Sequence, residues 1–193
     1  MIRAGLVLIM MIIAVPAWAE PDWTLQRDRK GITVWTALEE DHAIETYKGV
    51  IEVPAPPARV AQAIVDIEQF AQWAPDLREA RALDNGLSYV AYAMPFPVKD
   101  RDLVQTISVD ETGDGTIAIE MRAAPDGLPQ QGKRVRVQDS LLRWQIEPAG
   151  DDASRVTCIG YSDPEGGVPS FVINMLIVEA PYSTLKALRA HFE

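Results

Sequence analysis

The residues that could carry out chemistry are few and widely separated. The sequence has one cysteine, Cys158, and two histidines, His42 and His191. Nucleophilic catalysis needs a nucleophile beside a base and an orienting group. The sequence contains no pattern of residues that resembles such a set. A metal site needs several ligands grouped together, and one cysteine with two distant histidines does not supply them. We therefore predict no catalytic residue, no metal site and no cofactor, and we expect Cys158 to be a small buried apolar residue.

Asp100, Arg101 and Asp102 form the densest charge cluster in an otherwise apolar neighbourhood. Two interpretations of Arg101 stay open. It would meet the polar group of a ligand at the mouth of a cavity, or it would bridge a carboxylate and fix the entry into a strand. The second follows from the ease with which a guanidinium pairs with carboxylates.

The longest apolar segment that the rest of the chain must position runs from Val168 to Phe192. Its apolar residues recur at steps of three and four, which predicts one face of a helix: Phe171, Met175, Val178, Tyr182, Leu185, Leu188 and Phe192. Pro181 lies inside this helix and is expected to kink it. Residues 168–178 are apolar nearly all round but too short to span a bilayer, which takes roughly 20 residues. The start of the helix is therefore buried on several sides or faces something apolar that is not protein.

Alternating apolar and polar residues predict that most of the preceding chain is β-strand. The polar lead-in Trp23–Arg29 is expected to form one helical turn. Apolar residues at helical spacing predict a helix from Ala58 that Pro75 ends. The segments that alternate as strands do are Ile32–Thr36, Tyr47–Val53, Ser88–Met94, Asp102–Val109, Thr116–Arg122, Lys133–Val137, Leu141–Ile146 and Arg155–Tyr161. The short turns between them favour antiparallel hairpins.

This order of elements predicts an α+β fold. A sheet of this size with one apolar face must cover that face, and only the C-terminal helix has enough apolar surface to do so. We expect a curved antiparallel sheet that wraps around the long C-terminal helix, as a single domain over residues 20–193. A strongly bent sheet around one helix leaves an apolar cavity, which is the expected ligand site.

The first residues have the pattern of an export signal. Arg3 gives a positive start, residues 5–15 are an unbroken apolar run, and residues 17–19 (Ala-Trp-Ala) form a small-x-small cleavage site before Glu20. We expect residues 1–19 to be a Sec-type signal peptide and the protein to be periplasmic or secreted, in a bacterium. The formal net charge of −10 argues against a nucleic-acid partner.

Four stretches match motifs of one known family, in that family's order and structural context. They are Trp73-Ala74-Pro75 with Leu77, Val98-Lys99-Asp100-Arg101-Asp102-Leu103-Val104, Leu128-Pro129-Gln130-Gln131-Gly132, and Gly167-Val168-Pro169-Ser170-Phe171-Val172-Ile173-Asn174. These stretches resemble the START lipid-transfer family (steroidogenic acute regulatory protein-related domains) within the Bet v 1-like superfamily. The likeness covers roughly Tyr47 to Phe192.

The resemblance implies a helix-grip fold with a lipid-sized tunnel, no enzymatic activity and one hydrophobic ligand. It also implies that the final helix and neighbouring loops act as a lid. The candidate lid parts are Met94–Lys99, Ala124–Gly132 and the Gly166-Gly167 hinge. Some sterol-binding members carry a buried arginine at the place of Ile107, which is apolar, so sterol specificity is not implied.

The predicted ligand contacts combine aromatic, apolar and one charged side chain. They are Trp73, Tyr92, Met94, Arg101, Ile107, Met121, Phe171, Met175 and Val178. Trp73 would line the cavity or pack in the core. Phe171, Met175 and Val178 are expected to be buried, in contact with either ligand or sheet.

Two features are candidates for transient membrane contact. The loop Pro95-Phe96-Pro97 would let Phe96 enter a bilayer, or it would only form a rigid turn. Lys133, Arg134 and Arg136 would meet lipid headgroups, or they would form a solvated strand face.

Together these features favour an exported, monomeric lipid-binding or lipid-transfer protein that holds one hydrophobic small molecule or lipid in an internal tunnel. Two other classes stay open. A cyclase- or hydrolase-type enzyme on the same scaffold would need a polar residue facing the cavity beside a reactive group. A protein-interaction module would need an exposed helix face from Phe171 to Val178.

Overall fold

A computed structural model describes residues 21–38 and 44–193. The expected signal peptide and His42 lie outside the described residues. The strands are β1 (Thr24–Arg29), β2 (Ile32–Ala37), β3 (Thr46–Val53), β4 (Leu77–Ala82), β5 (Ser88–Tyr92), β6 (Arg101–Glu111), β7 (Ile117–Ala123), β8 (Val135–Arg136), β9 (Ser140–Pro148) and β10 (Ser154–Ser162). The helices are α1 (Pro57–Val65), α2 (Ile67–Trp73) and α3 (Ser170–Phe192), with a 3₁₀ turn at Pro125–Gly127.

The strands form one curved sheet in the order β1-β2-β3-β10-β9-β7-β6-β5-β4. Neighbours along this path pair antiparallel, as the short turns predict. The exception is β8, which lies off the path and pairs in parallel with Arg101 and Asp102 of β6. The predicted curved sheet around a long C-terminal helix is confirmed.

The C-terminal half of α3 is held against β2 and β3. Tyr182, Leu185 and Leu188 follow helical spacing and are all buried. A Cβ added at Gly49 of β3 would lie only 2.6 Å from Leu185 Cδ1, so glycine at this position lets the helix approach the sheet closely. The helix continues through Pro181.

The main core lies between the concave face of the sheet, α1 and this half of α3. The buried, inward-facing positions of the strands alternate with partly or fully exposed ones, as in β2, β3, β7 and β10. The largest fully buried side chains of this core are Ile32, Val34, Ile51, Val53, Val60, Ile64, Ile119, Ile146, Leu185 and Leu188.

Two local predictions at the start of the chain were wrong. The polar lead-in is the edge strand β1, which pairs with β2 and keeps Leu25 exposed. The helix expected from Ala58 is two helices, because Asp66 adopts an extended backbone conformation and caps α2. The carboxylate of Asp66 accepts hydrogen bonds from the backbone N–H groups of Glu68 and Gln69.

By length and composition α3 is also apolar enough to cross a membrane. A helix buried in the core of a protein can have the same length and composition as a membrane-spanning one. The C-terminal half of α3 is packed in the core in this way. Its N-terminal half is different, because it borders a cavity.

Candidate ligand-binding cavity

A cavity of about 310 Å³ lies between the concave face of the sheet and α3. Clefts of roughly 300–1,000 Å³ are typical of small-molecule sites. The helix contributes one stripe of its surface, at Ile173, Leu176, Ile177, Ala180, Ser183 and Thr184. Phe70 of α2 and Leu142 of β9 add apolar surface from the other sides. The cavity therefore offers a mainly apolar environment enclosed by the helix and the sheet.

Tyr92, Met94, Arg101 and Met121 are predicted ligand contacts that line the cavity. They come from β5, the segment that follows it, β6 and β7, which the sheet brings side by side. That these side chains touch a ligand stays a prediction.

Trp73 and Ile107 do not line the cavity. The indole N–H of Trp73 donates to the carbonyl of Ala63 at 2.9 Å, and its ring packs edge-on against Phe70 at 5.1 Å. This contact joins α2 to α1. Ile107 is half-buried against the main core. Of the two interpretations of Trp73, the structure shows core packing.

The expectation that Phe171, Met175 and Val178 are all buried was wrong for the first two. Phe171 is 74% exposed and Met175 is 48% exposed, while Val178 packs against the core. These residues share a face with Tyr182 and Leu185, but the sheet covers that face only in the C-terminal half of α3. In the N-terminal half, the stripe around Ile173 and Ile177 turns toward the cavity instead.

Arg101 is buried in the cavity lining, where its guanidinium donates to backbone carbonyls. Nε donates to Pro164 at 2.7 Å, Nη2 donates to Glu165 at 2.7 Å, and Nη1 donates to Lys99. Burial lowers the pKa of Arg101. In the described chain no carboxylate lies within ion-pair distance of it, so the bridge to a carboxylate is wrong for this side chain. Arg101 instead ties the start of β6 to the segment that precedes α3.

The buried ion pair belongs to Asp102 and Arg136. Nε and Nη2 of Arg136 each donate to a carboxylate oxygen of Asp102 at 3.0 Å, and the Tyr89 hydroxyl donates to the same carboxylate at 3.1 Å. The Nη1 group of Arg136 also donates to the carbonyls of Pro125 and Leu128 at 2.7 Å. The predicted solvated strand face is therefore wrong for Arg136.

Arg134 also pairs with a carboxylate. Its Nη1 donates to Glu79 at 2.7 Å and to the Tyr89 hydroxyl at 2.9 Å. The guanidinium lowers the pKa of Glu79. These bonds fasten the chain before β8 to β4 and β5, beside the cavity.

The polar or polarisable residues that line the cavity without having been predicted include Tyr47, Gln105, Trp144 and Cys158. Burial raises the pKa of Tyr47, and the nearby Cys158 thiol and Tyr92 phenol raise it further. Burial also raises the pKa of Tyr92, and raises that of Cys158 to about 12. The signal for Tyr47 was its position on the same strand face as Gly49, Ile51 and Val53. For Gln105 the signal was its position on the same face of an alternating strand as Arg101 and the half-buried Leu103.

Within residues 21–38 and 44–193, no group of three histidine, cysteine or carboxylate side chains converges as a metal site would require. Besides apolar surface, the cavity lining offers phenols, the Gln105 amide, hydroxyl groups and the charged side chains of Arg101 and Asp102.

The fold is a helix grip that encloses an internal cavity between the sheet and α3. Residues 45–193 match the family described as polyketide cyclase / dehydrase and lipid transport. The chain belongs to that family.

Its relatives confirm the resemblance to START domains. An uncharacterised protein of Pseudomonas aeruginosa is 30% identical over 185 residues, covering 94% of this chain and 91% of that protein. Phosphatidylcholine transfer protein of Mus musculus is 29% identical over 169 residues, covering 82% of this chain and 78% of that protein. A solved STAR-related lipid transfer protein fragment from Xanthomonas axonopodis has a TM-score of 0.79 and 32% identity, covering 88% of this chain and 98% of that chain.

Proposed function

We propose that this protein is an exported carrier that holds one hydrophobic lipid in the cavity beside α3 and moves it without catalysing a reaction. The observation that carries the proposal is the cavity itself, which is enclosed by an apolar helix stripe and the concave sheet. The names of the mouse and Xanthomonas relatives support it, since both describe lipid transfer.

The physical driving force is the removal of apolar ligand surface from water. Burial of such surface contributes about 25 cal/mol per Å², from which the costs of association are subtracted. Ile173, Leu176 and Ile177 supply the apolar surface on the helix side, and Met94 and Met121 supply flexible thioethers on the sheet side. Such a lining suits a lipid chain whose exact shape varies.

The protonation states of the cavity support a role without catalysis. Because the pKa of Cys158 is raised to about 12, its thiol stays protonated at neutral pH and is a poor nucleophile. The raised pKa values of Tyr47 and Tyr92 keep both phenols neutral. His191 lies at the end of α3, against Phe192. Among the described residues, these groups do not place a nucleophile beside a base, which the enzyme alternative would require.

Three exposed apolar side chains support transient membrane contact near the cavity mouth. Phe96 is 98% exposed, Phe171 is 74% exposed and Met175 is 48% exposed. Phe96 belongs to the loop that begins with Met94 and ends at β6, and the other two follow the segment to which Arg101 is bonded. The same residues are available to a protein partner, but their chain neighbours Met94 and Ile173 line the cavity, which favours contact with a bilayer.

Export and a monomeric state complete the proposal. The positive start, the apolar run and the Ala-Trp-Ala cleavage site of residues 1–19 support secretion into a bacterial periplasm. N-terminal sequencing of the periplasmic protein should begin at Glu20. Detection of the full-length chain in the cytoplasm alone would contradict export.

A vesicle assay tests the transfer function. The mature chain, residues 20–193, is added to donor vesicles that contain a pyrene-labelled fatty acid and to unlabelled acceptor vesicles. The transfer rate should rise in proportion to protein concentration. Ile177→Trp, which enlarges a side chain of the cavity wall, should slow transfer, whereas Val109→Trp on an exposed strand position should not. A transfer rate equal to the protein-free rate would contradict the proposal.

A further inference from the structure

Arg101 and Arg136 are both buried, but they differ in the groups that they contact. Arg136 forms an ion pair with Asp102. Arg101 is 5% exposed, its guanidinium donates to three backbone carbonyls, and it forms no ion pair with any carboxylate of residues 21–38 and 44–193. A guanidinium stays charged at neutral pH, and a buried charge without a counter-charge costs free energy. Arg101 is therefore a buried positive charge that carbonyl dipoles compensate only in part.

The guanidinium of Arg101 also has hydrogen-bond donors to spare. It carries five N–H groups, one on Nε and two on each terminal nitrogen. Nε uses its N–H on the carbonyl of Pro164, while Nη1 and Nη2 each donate one hydrogen bond, to Lys99 and Glu165. One N–H group therefore remains on each terminal nitrogen. Two N–H groups of one guanidinium can bind two oxygens of a carboxylate or a phosphate side by side.

The other charges of the cavity lining leave Arg101 without a counter-charge. In the described part of the chain, Arg101 is the only arginine or lysine that lines the cavity. The lining carboxylates are Glu45, Asp76 and Asp102. Glu45 and Asp76 are at exposed positions, and Asp102 is already neutralised by Arg136. An anionic group of a ligand would supply the counter-charge that Arg101 lacks.

The position of Arg101 leaves room for an acyl chain beside it. Arg101 is the first residue of β6, and it alternates with Leu103 and Gln105 along a strand face that lines the cavity. Further along β6, Ile107 pairs with Met121 of β7, roughly 20 Å of strand from Arg101. A head group at Arg101 would therefore allow an attached chain to extend along β6 toward Met121, which also lines the cavity.

We propose that the cavity binds a single-chain lipid with an anionic head group, a carboxylate or a phosphate, which the two remaining N–H groups of Arg101 hold by hydrogen bonds. This inference rests on the proposed lipid-binding function and names the ligand class. The cavity volume of about 310 Å³ is near the lower end of the usual range for small-molecule sites, roughly 300–1,000 Å³, which favours one chain over two. The chain of the ligand lies against the Ile173 and Ile177 stripe of α3.

Three lipids of equal carbon number separate the head group from the chain. Dodecanoate carries a carboxylate, dodecyl phosphate carries a phosphate, and dodecanol carries an uncharged hydroxyl group. Their dissociation constants are measured at pH 8 by displacement of diphenylhexatriene, a fluorescent hydrocarbon, from the mature chain and from Arg101→Gln. Arg143→Gln is the matched control, because it removes the same charge from a side chain that is 59% exposed and outside the cavity lining.

The wild type should bind at least one of the two anions about tenfold more tightly than dodecanol, and the tighter anion identifies the head group as carboxylate or phosphate. Arg101→Gln should weaken binding of that anion about tenfold and leave dodecanol within about twofold of the wild type. Arg143→Gln should change none of these constants.

Two results would overturn the inference and leave lipid binding intact. One is a wild type that binds dodecanol as tightly as both anions. The other is equal weakening of anion and alcohol by Arg101→Gln, which a purely structural role of Arg101 would produce. A wild type that binds neither diphenylhexatriene nor any of the three lipids would overturn the proposed function, and this inference with it.

A measurement on the unaltered protein covers the case in which Arg101→Gln does not fold. The tighter-binding anion, observed through a ¹³C-labelled carboxylate or the ³¹P of its phosphate, is bound to wild-type chain labelled with ¹⁵N in arginine. Because Arg101 is the only arginine of the described cavity lining, solid-state dipolar recoupling should place the head group within about 5 Å of arginine nitrogen, as hydrogen bonds of about 2.8 Å require. The absence of such coupling would overturn the inference.

Discussion

Asp102 and Arg136 are the buried charges that hold the chain before β9 in place beside the cavity. Asp102 is fully buried, and Arg136 is the partner that neutralises it while also donating to two carbonyls near the 3₁₀ turn. Removal of one member of a buried pair is more costly than loss of the pair, since the remaining charge has no partner.

Asp102→Asn should therefore lower the free energy of unfolding by about 3 kcal/mol or more. The measurement is urea denaturation followed by tryptophan fluorescence. Glu120→Gln is the matched control, because Glu120 pairs with Arg122 and Arg143 on a partly exposed surface and such pairs contribute less than about 1 kcal/mol. Equal effects of the two substitutions would contradict a structural role for the buried pair.

Cys158 should be nearly inert in the folded protein. Its pKa of about 12 leaves roughly a thousandfold less thiolate at pH 8 than an ordinary cysteine of pKa about 8.5 has. The raised pKa of Cys158 lies above the pH range of the experiment. The rate of its alkylation by iodoacetamide should therefore keep rising about tenfold per pH unit from pH 8 to pH 10. Urea-unfolded protein should react fast, and its rate should level off about one pH unit above the ordinary cysteine pKa of about 8.5. A folded-state rate that levels off in the same range would show that the thiol is not buried as described.

At the scale of elements, the close packing of β9 on β10 depends on Gly160. A Cβ at this position would lie 2.7 Å from the backbone oxygen of Leu141, which no side-chain rotation relieves. Gly160→Ala should destabilise the protein by about 1–3 kcal/mol through this overlap. Gly113→Ala, where nothing lies within 4 Å of an added Cβ, should have little effect. Thermal unfolding of both variants checks this, and similar melting temperatures would contradict the described register.

The sequence predicted the strongly periodic elements and missed those whose pattern is weak. β4 alternates charged residues with few apolar ones, and β1 is a polar edge strand, so neither has a clear apolar face. The division between α1 and α2 had a signal in Asp66 followed by Gln69, a capping pattern. Apolar spacing continued across that cap and suggested one helix, because periodicity alone does not detect a cap.

The candidate site was less predictable than the fold for a geometric reason. The apolar face of α3 was identified correctly where the sheet covers it, at Tyr182 and Leu185. Toward the N-terminus of the helix the same face is not covered and reaches solvent at Phe171 and Met175. Which stripe lines a cavity depends on where the sheet ends, and no local sequence pattern contains that information.

At the scale of the whole molecule, the exposed apolar residues around the cavity mouth should determine membrane association. Phe96→Ser combined with Phe171→Ser should reduce both co-sedimentation with neutral phosphatidylcholine vesicles and the rate of lipid transfer by about tenfold, because less apolar surface enters the bilayer. Leu25→Ser combined with Val109→Ser removes exposed apolar side chains outside the mouth and should leave both unchanged. Equal losses in the two double variants would contradict a docking surface at the mouth.

The claim that the cavity holds a lipid is tested most directly by native mass spectrometry of the mature chain purified from periplasm, with extraction of any co-purified molecule. We expect a monomer that carries one lipid at stoichiometric amount. A ligand-free mass that does not change on incubation with phospholipids, fatty acids or neutral esters would contradict the account.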